Sequence, residues 1–183
     1  MKWFIASDIH GSAYYCREML EAYKRENCRR MLLLGDILYH GPRNDLPKEY
    51  APKEVIDMLN ALADQIYCVR GNCEAEVDQM VLKFPVLADY MLLPVGDEAE
   101  HMIFVTHGHL YNEAVLPPLS KGDILLHGHT HVPVCSKQED YTYLNPGSVA
   151  IPKDGSWHGY MILEGGHFTW KDMNGKVKLE YSI

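Results

Sequence analysis

The sequence has no two cysteines in a CxxC spacing, no run approaching the roughly 20 apolar residues of a spanning helix, and no lysine–arginine cluster beyond Arg29-Arg30. Nor does it show an internal repeat, a linker or a low-complexity segment. Each absence argues against a class of function. Five cysteines, at 16, 28, 68, 73 and 135, are odd in number, so neither a disulfide framework nor a zinc ribbon is expected. Cys16, Cys28, Cys68 and Cys135 read as buried or inert thiols. The chain runs directly into KWFIAS without the apolar core of a signal peptide, and a cytoplasmic protein with no membrane partner is expected. A formal net charge of −8 argues against binding a nucleic-acid polymer, which needs a basic surface.

Residues 123–131, DILLHGHTH, carry the strongest local pattern that is present. The apolar run Ile124-Leu125-Leu126 stops at His127, His129 and His131, with Gly128 allowing a tight turn between them. In an extended segment residues two apart face one side, so His129 and His131 would present both imidazoles to one place. One HxH is a weak pattern. Four other segments repeat its form, however: WFIASDIH (3–10), MLLLGD (31–36), IYCVRGN (66–72) and MIFVTHGH (102–109). Five strand ends would then deliver Asp8, His10, Asp36, Asn72, His107, His129 and His131 to the crevice where α/β folds place their sites.

The chain between these segments alternates in the same sense. Gly11-Ser12 supplies a turn and a helix cap, and Tyr15, Met19, Leu20 and Tyr23 recur at helical spacing to about Asn27. Pro52 opens a second helix with the apolar face Val55, Met58, Leu59 and Leu62, and a strand follows from about Gln65. The order βαβαβ predicts a parallel core with right-handed crossovers. From about residue 86, turn signals at Gly96-Asp97, Glu139-Asp140, Gly165-Gly166 and Asn174-Gly175 suggest an antiparallel, sandwich-like second half. The length of 183 residues fits one domain over 1–183. Asn145-Pro146-Gly147-Ser148 reads as a turn.

Two aspartates, one asparagine and four histidines are too many for one tetrahedral zinc. Mixed oxygen and nitrogen ligands suit manganese, iron or zinc, and two ions about 3.5–4 Å apart bridged by one carboxylate would use the set. Such a pair clamps a phosphoryl oxygen and acidifies a bridging water, so a phosphate-ester substrate is expected. The loop after Asp36 carries His40, Arg43 and Asn44, and Arg43 is placed to meet the substrate phosphate.

Asp8-x-His10, Gly35-Asp36, Gly71-Asn72, His107-Gly108 and Gly128-His129-Thr130-His131 resemble, in order and approximate spacing, the signature of calcineurin-like metallophosphoesterases. The longer stretches 35–44, 71–80, 106–110 and 143–153 look like the small bacterial and archaeal phosphodiesterase branch of that superfamily. The resemblance implies a four-layer αββα sandwich of two mixed β-sheets flanked by helices. It implies that Asp8, His10, Asp36 and His131 hold one divalent ion, that Asp36 bridges, and that Asn72, His107 and His129 complete the other. Manganese is the implied metal, with zinc, iron, nickel or magnesium able to substitute, and a homo-oligomer is implied as well.

One departure is Cys73, at a position where many members carry the histidine assigned to the leaving group. A thiol is a weaker donor than imidazolium, which implies slow turnover of esters with poor leaving groups. His40, His109 and His127 are near enough in sequence to replace the missing group, and Glu74 is expected to orient a histidine.

The function expected is that of a phosphoric ester hydrolase, a phosphodiesterase that cleaves a small or nucleotide-like diester with a metal-bridging hydroxide. Asp36, Asn72, Cys73 and His107 are assigned to catalysis, and Arg43, Asn44 and Cys73 to the substrate. The alternatives are a phosphomonoesterase with the same centre, or a non-catalytic scaffold of the same fold. Against the scaffold, all seven ligand positions are filled, and their charges would otherwise need partners.

Overall fold

The computed structural model describes residues 1–96 and 99–183. Its first half follows the βαβαβ order. Strands β1 (Lys2–Ala6), β2 (Arg30–Leu33) and β3 (Ile66–Cys68) pair in parallel, with Ala6 opposite Leu33 and Leu33 opposite Cys68. Helices α1 (Ala13–Arg25) and α2 (Pro52–Asn60) make the crossovers. Ser12 caps α1 by accepting the Tyr15 N–H at 3.2 Å, and Pro52 occupies the first turn of α2, where a missing N–H costs nothing. A short third helix, α3 (Glu76–Val81), follows β3.

The second half supplies β4 (Tyr90–Val95), β5 (His101–Thr106), β6 (Asp123–Leu126), β7 (Pro133–Lys137) and β8 (Tyr141–Pro146). It ends with β9 (Gly159–Glu164), β10 (His167–Asp172) and β11 (Val177–Ser182). The last three join the first sheet, giving the order β11-β10-β9-β1-β2-β3; the other sheet runs β4-β5-β6-β8-β7. The expectation of an antiparallel second half holds for β4–β5, β7–β8, β9–β10 and β10–β11 but fails for β5, β6 and β8, which are parallel neighbours. Hairpins alone would send successive strand ends to opposite edges. Parallel crossovers put the ends of β5 and β6, and the histidines beyond them, at one edge. The turns at Glu139-Asp140, Gly165-Gly166 and Asn174-Gly175 are present, while Asp97 of the expected Gly96-Asp97 turn lies outside the described residues.

Alternation along the strands builds two cores. Phe4, Ala6, Met31 and Leu33 face the helices, whereas Ile5, Leu32 and Leu34, with Trp170 of their own sheet, face the other sheet and cluster with Ile103, Val105, Ile124 and Leu126. The result is an α/β sandwich of two mixed sheets. Helices flank the six-stranded sheet, and the irregular segment 107–122 follows β5, where Tyr90, Leu92, Phe104, Tyr111 and Pro118 line one small surface cavity. No helix among the described residues is long and apolar enough to cross a membrane.

Candidate metal centre

Asp8 and His10 follow β1, Asp36 follows β2, Asn72 follows β3, His107 follows β5, and His129 and His131 follow β6. The connecting backbone is held across strands: Asp8 N–H donates to Gly35 O at 3.1 Å, and His10 N–H to Asp36 O at 2.9 Å. Five of these residues, Asp8, His10, Asp36, His129 and His131, have left-handed φ between 49° and 65°. Such a conformation costs a non-glycine residue about 1–2 kcal/mol and survives only where surrounding structure enforces it. Only nine non-glycine residues adopt it among the described residues, so the strain is concentrated at this edge.

The left-handed turns also correct the extended-segment reading of His129 and His131. Their rings diverge. His131 Nε2 lies 3.3 Å from His10 Nε2, while His129 Nδ1 lies 3.1 Å from His107 Nε2. Gly128 between strand and turn is obligatory, because a Cβ there would overlap Ser7 Oγ.

Three imidazoles are oriented by backbone carbonyls. Nδ1–H of His10 donates to Tyr39 O at 2.8 Å, that of His107 to Leu34 O at 2.6 Å, and that of His131 to Ile151 O at 2.7 Å. A carbonyl can only accept, so Nδ1 keeps its proton and each Nε2 is the nitrogen turned inward toward the cluster. His10 Nε2 and His131 Nε2 both face Asp8 Oδ1, at 3.5 and 3.2 Å, and that buried oxygen accepts no hydrogen bond. Three groups able to ligate a metal thus converge on one buried point, an arrangement that a cation satisfies and apolar packing does not.

Asp36 stands between two such groups. Its Oδ2 is 3.6 Å from His10 Nε2 and its Oδ1 is 3.5 Å from His107 Nε2. Asn72 Oδ1 lies 3.2 Å from His107 Nε2. Ligand atoms of Asp8, His10 and His131 lie within 4.8 Å of one another, as do those of Asp36, His107 and His129, and those of His10, Asp36 and Cys73. The residues fit two cations sharing Asp36.

The electrostatics agree with this. Burial opposes ionisation of Asp8, but contacts with His10 and His131 hold its carboxyl well below the usual range. Burial would lower His107, yet the Asp36 and Asp8 carboxylates push it up to about 9. His129, buried and beside His107, is pushed down to about 4.

Glu74 corrects the expectation that it orients a histidine. Its carboxylate accepts three backbone N–H groups, from Asp36 at 2.8 Å, Ile37 at 2.7 Å and Gly71 at 2.6 Å. Gly71 leaves the room for this, since a Cβ would overlap Asp36 Oδ1. Burial and the Asp36 charge push Glu74 up to about 7.

All seven expected ligands come together, and Arg43, Asn44 and Cys73 line a cleft of about 420 Å³ above them with Thr130 and Lys153. The spare histidines do not line that cleft. His127 is buried against Tyr143 and paired with Glu113 at 2.7 Å, His40 packs on Tyr39 and Tyr50, and His109 stands 5.5 Å from His107, ring to ring. Three further groups support the centre, of which Ser7 was not foreseen and Asn145 and Ser148 were placed near the site only by the resemblance of 143–153. Ser7 Oγ donates to Asp8 Oδ2 at 2.6 Å and Ser148 Oγ to Asp8 O at 2.9 Å, while the Asn145 amide donates to Gly128 O at 2.8 Å. The stretch 145–148 reads locally as a turn, and nothing in its spacing shows those partners.

Residues 1–166 match the sequence profile of the calcineurin-like phosphoesterase superfamily domain. The chain belongs to this superfamily. Among its calcineurin-like relatives, phosphodiesterase YfcE of Escherichia coli K12 is 43% identical over 164 residues, 90% of this chain and 88% of the relative. The solved structure of YfcE, a phosphoesterase from E. coli, superposes with a TM-score of 0.94 at 39% identity over the whole of both chains. Phosphodiesterase MJ0936 of Methanocaldococcus jannaschii is 26% identical over 156 residues, 80% of this chain and 83% of the relative.

Proposed function

We propose that this chain is a metal-dependent phosphodiesterase that hydrolyses a small or nucleotide-like phosphate diester. In this reading Asp8, His10, Asp36 and His131 hold one divalent ion, and Asp36, Asn72, His107 and His129 hold a second. The observation that carries it is the convergence of carbonyl-oriented His10 and His131 on the unpartnered oxygen of Asp8, with Asp36 turned to His10 on one side and His107 on the other. The likeness to YfcE and MJ0936, both phosphodiesterases, supports it further.

When bound, two such ions supply positive charge to the transferring phosphoryl group and acidify the attacking water. The protein's own groups do the rest. Glu74 anchors the Asp36 backbone N–H and the Cys73 N–H fixes the Asp36 carboxylate, while His129, neutral near pH 7, offers a lone pair without displacing a proton. Arg43 and Asn44 border the space for the ester arms. Burial and the Asp36 charge push the Cys73 thiol far up, so it stays protonated and is a poor acid toward a departing alkoxide. Manganese is the metal we favour over zinc, iron, nickel or magnesium on the family resemblance; the mixed oxygen and nitrogen donor set suits manganese, iron and zinc alike. We further assign all 183 residues to one domain acting in the cytoplasm.

The test is hydrolysis of a chromogenic aryl phosphate diester and its matching monoester by chelator-treated protein, before and after manganese, with Asp36→Asn as control. Diester cleavage that needs metal and is lost in the variant is expected. Faster monoester cleavage would make the protein a phosphatase, and failure to bind metal would make it a scaffold.

A further inference from the structure

The two walls of the cleft are not alike in sequence origin but match in charge. One is the loop that carries Arg43, the other the segment that carries Lys153, and among the described residues the only carboxylate lining the space is that of Asp36. Both cations are exposed, and neither is ion-paired with any described residue. Other surface cations, such as Lys53 and Lys83, are likewise without an ion pair among the described residues, but Arg43 and Lys153 are the two that line this cleft. In a chain of net charge −8, two unpartnered cations facing one cleft form a local positive rim.

Both positions are built. The Arg43 loop turns at Gly41, whose φ is 80°, and is closed by the Asn44 amide donating to His40 O at 2.8 Å. On the other side the Lys153 N–H donates to His131 O at 3.2 Å, and Ser156 N–H returns to Lys153 O at 2.9 Å. Lys153 is thereby tied to the turn of a proposed metal ligand. A phosphate diester carries one negative charge at its reacting phosphoryl group, and the floor of the cleft receives that group. The rim guanidinium and ammonium then have no partner in the chain or in a simple diester.

We propose that Arg43 and Lys153 form a subsite for a second anionic group, a phosphate or carboxylate carried on one ester arm, so that the preferred substrate is a diester with an anionic tail. The guanidinium supplies a forked donor and the ammonium a point charge, the combination suited to such a group. A cleft of about 420 Å³ has room for a ligand of nucleotide size. The substrate class rests on the phosphodiesterase reading; the anion subsite itself does not.

The experiment compares ethyl, 2-carboxyethyl and 2-phosphonoethyl 4-nitrophenyl phosphate, which share one leaving group and differ only in the tail. With manganese-loaded protein, kcat/KM is expected to be at least tenfold higher for one of the anionic tails than for ethyl, and the better tail names the anion. In Arg43→Gln/Lys153→Gln that ratio should fall to near one. A wild-type ratio near one, or a ratio unchanged in the double variant, would overturn the proposal. Calorimetric binding of methyl 2-phosphonoethyl phosphate and methyl ethyl phosphate to chelator-treated protein is the second readout. There the phosphonate should bind at least tenfold tighter, in a manner lost in the double variant, even if no ester is cleaved. No binding preference in wild type would sink the subsite, whereas a preference without turnover would sink the phosphodiesterase reading alone.

Discussion

Cys73 holds Asp36 from two directions, its N–H donating to Oδ1 at 3.0 Å and its thiol to Oδ2 at 3.3 Å. The side chain therefore acts on the carboxylate between the two ligand groups, and its proton is engaged there. Cys73→Ala removes one weak hydrogen bond, worth about 1 kcal/mol. Aryl and alkyl diester hydrolysis should fall by the same factor, roughly three- to tenfold. A loss confined to alkyl esters would show instead that the thiol protonates the leaving group.

Glu74→Gln should be far more damaging than its isosteric shape suggests. One carboxylate oxygen accepts from both Asp36 and Gly71 and the other accepts from Ile37, so an amide nitrogen must face at least one N–H donor. A destabilisation of about 1–3 kcal/mol is expected in urea unfolding. Metal affinity should drop by about 10- to 100-fold, because the Asp36 turn loses its anchor. Unchanged calorimetric metal affinity would show that Glu74 is a passive core group.

The pH dependence of metal binding has a definite sign. His107, raised to about 9 in the folded chain, carries a proton at pH 7 that a metal must displace. Affinity should rise with pH up to about 9 and then level off, with a proton release near one at pH 7 contributed by this residue. His129, lowered to about 4, contributes none. In the absence of metal the same shift stabilises the fold below the unfolded value of about 6.5, and that contribution is lost as pH rises through about 9. Calorimetry in buffers of different ionisation enthalpy counts the protons, and a count near zero at pH 7 would place His107 neutral.

Gly128→Ala tests the turn geometry. The added Cβ overlaps Ser7 Oγ and crowds Asp8 Oδ2 at 2.8 Å, so Asp8 must move. Overpacking of this kind costs about 1–3 kcal/mol, and the loss of metal binding should exceed what the altered melting temperature implies. Ser7→Ala in the same chain should recover part of both, whereas no recovery would place the clash elsewhere.

Much of the centre was legible because each ligand ends its own apolar run, and runs such as MLLLGD or DILLHGHTH are contiguous. The parallel pairing of β1 to β3 followed from helices of crossover length between them. What stayed hidden depends on neighbours distant in sequence. Ser148 supports Asp8 from 140 residues away, and Glu74 reads as one more loop acid until the N–H groups of Asp36, Ile37 and Gly71 are seen around it. The parting of His129 from His131 lies in two positive φ angles that an alternation argument cannot contain.

The ligand atoms are divided between the two sheets: Asp8, His10, Asp36 and Asn72 leave one, and His107, His129 and His131 leave the other. The spacing of any ions held there is accordingly set by how far apart the two leaves stand. Ile5, Leu32, Leu34, Ile124, Leu126 and Trp170, none of which touches the cleft, act as the shims of that gap. Thinning one of them changes the bite of the centre, while an equal defect among Phe4, Met31 or Leu59, behind the first sheet, weakens the fold and leaves the bite alone.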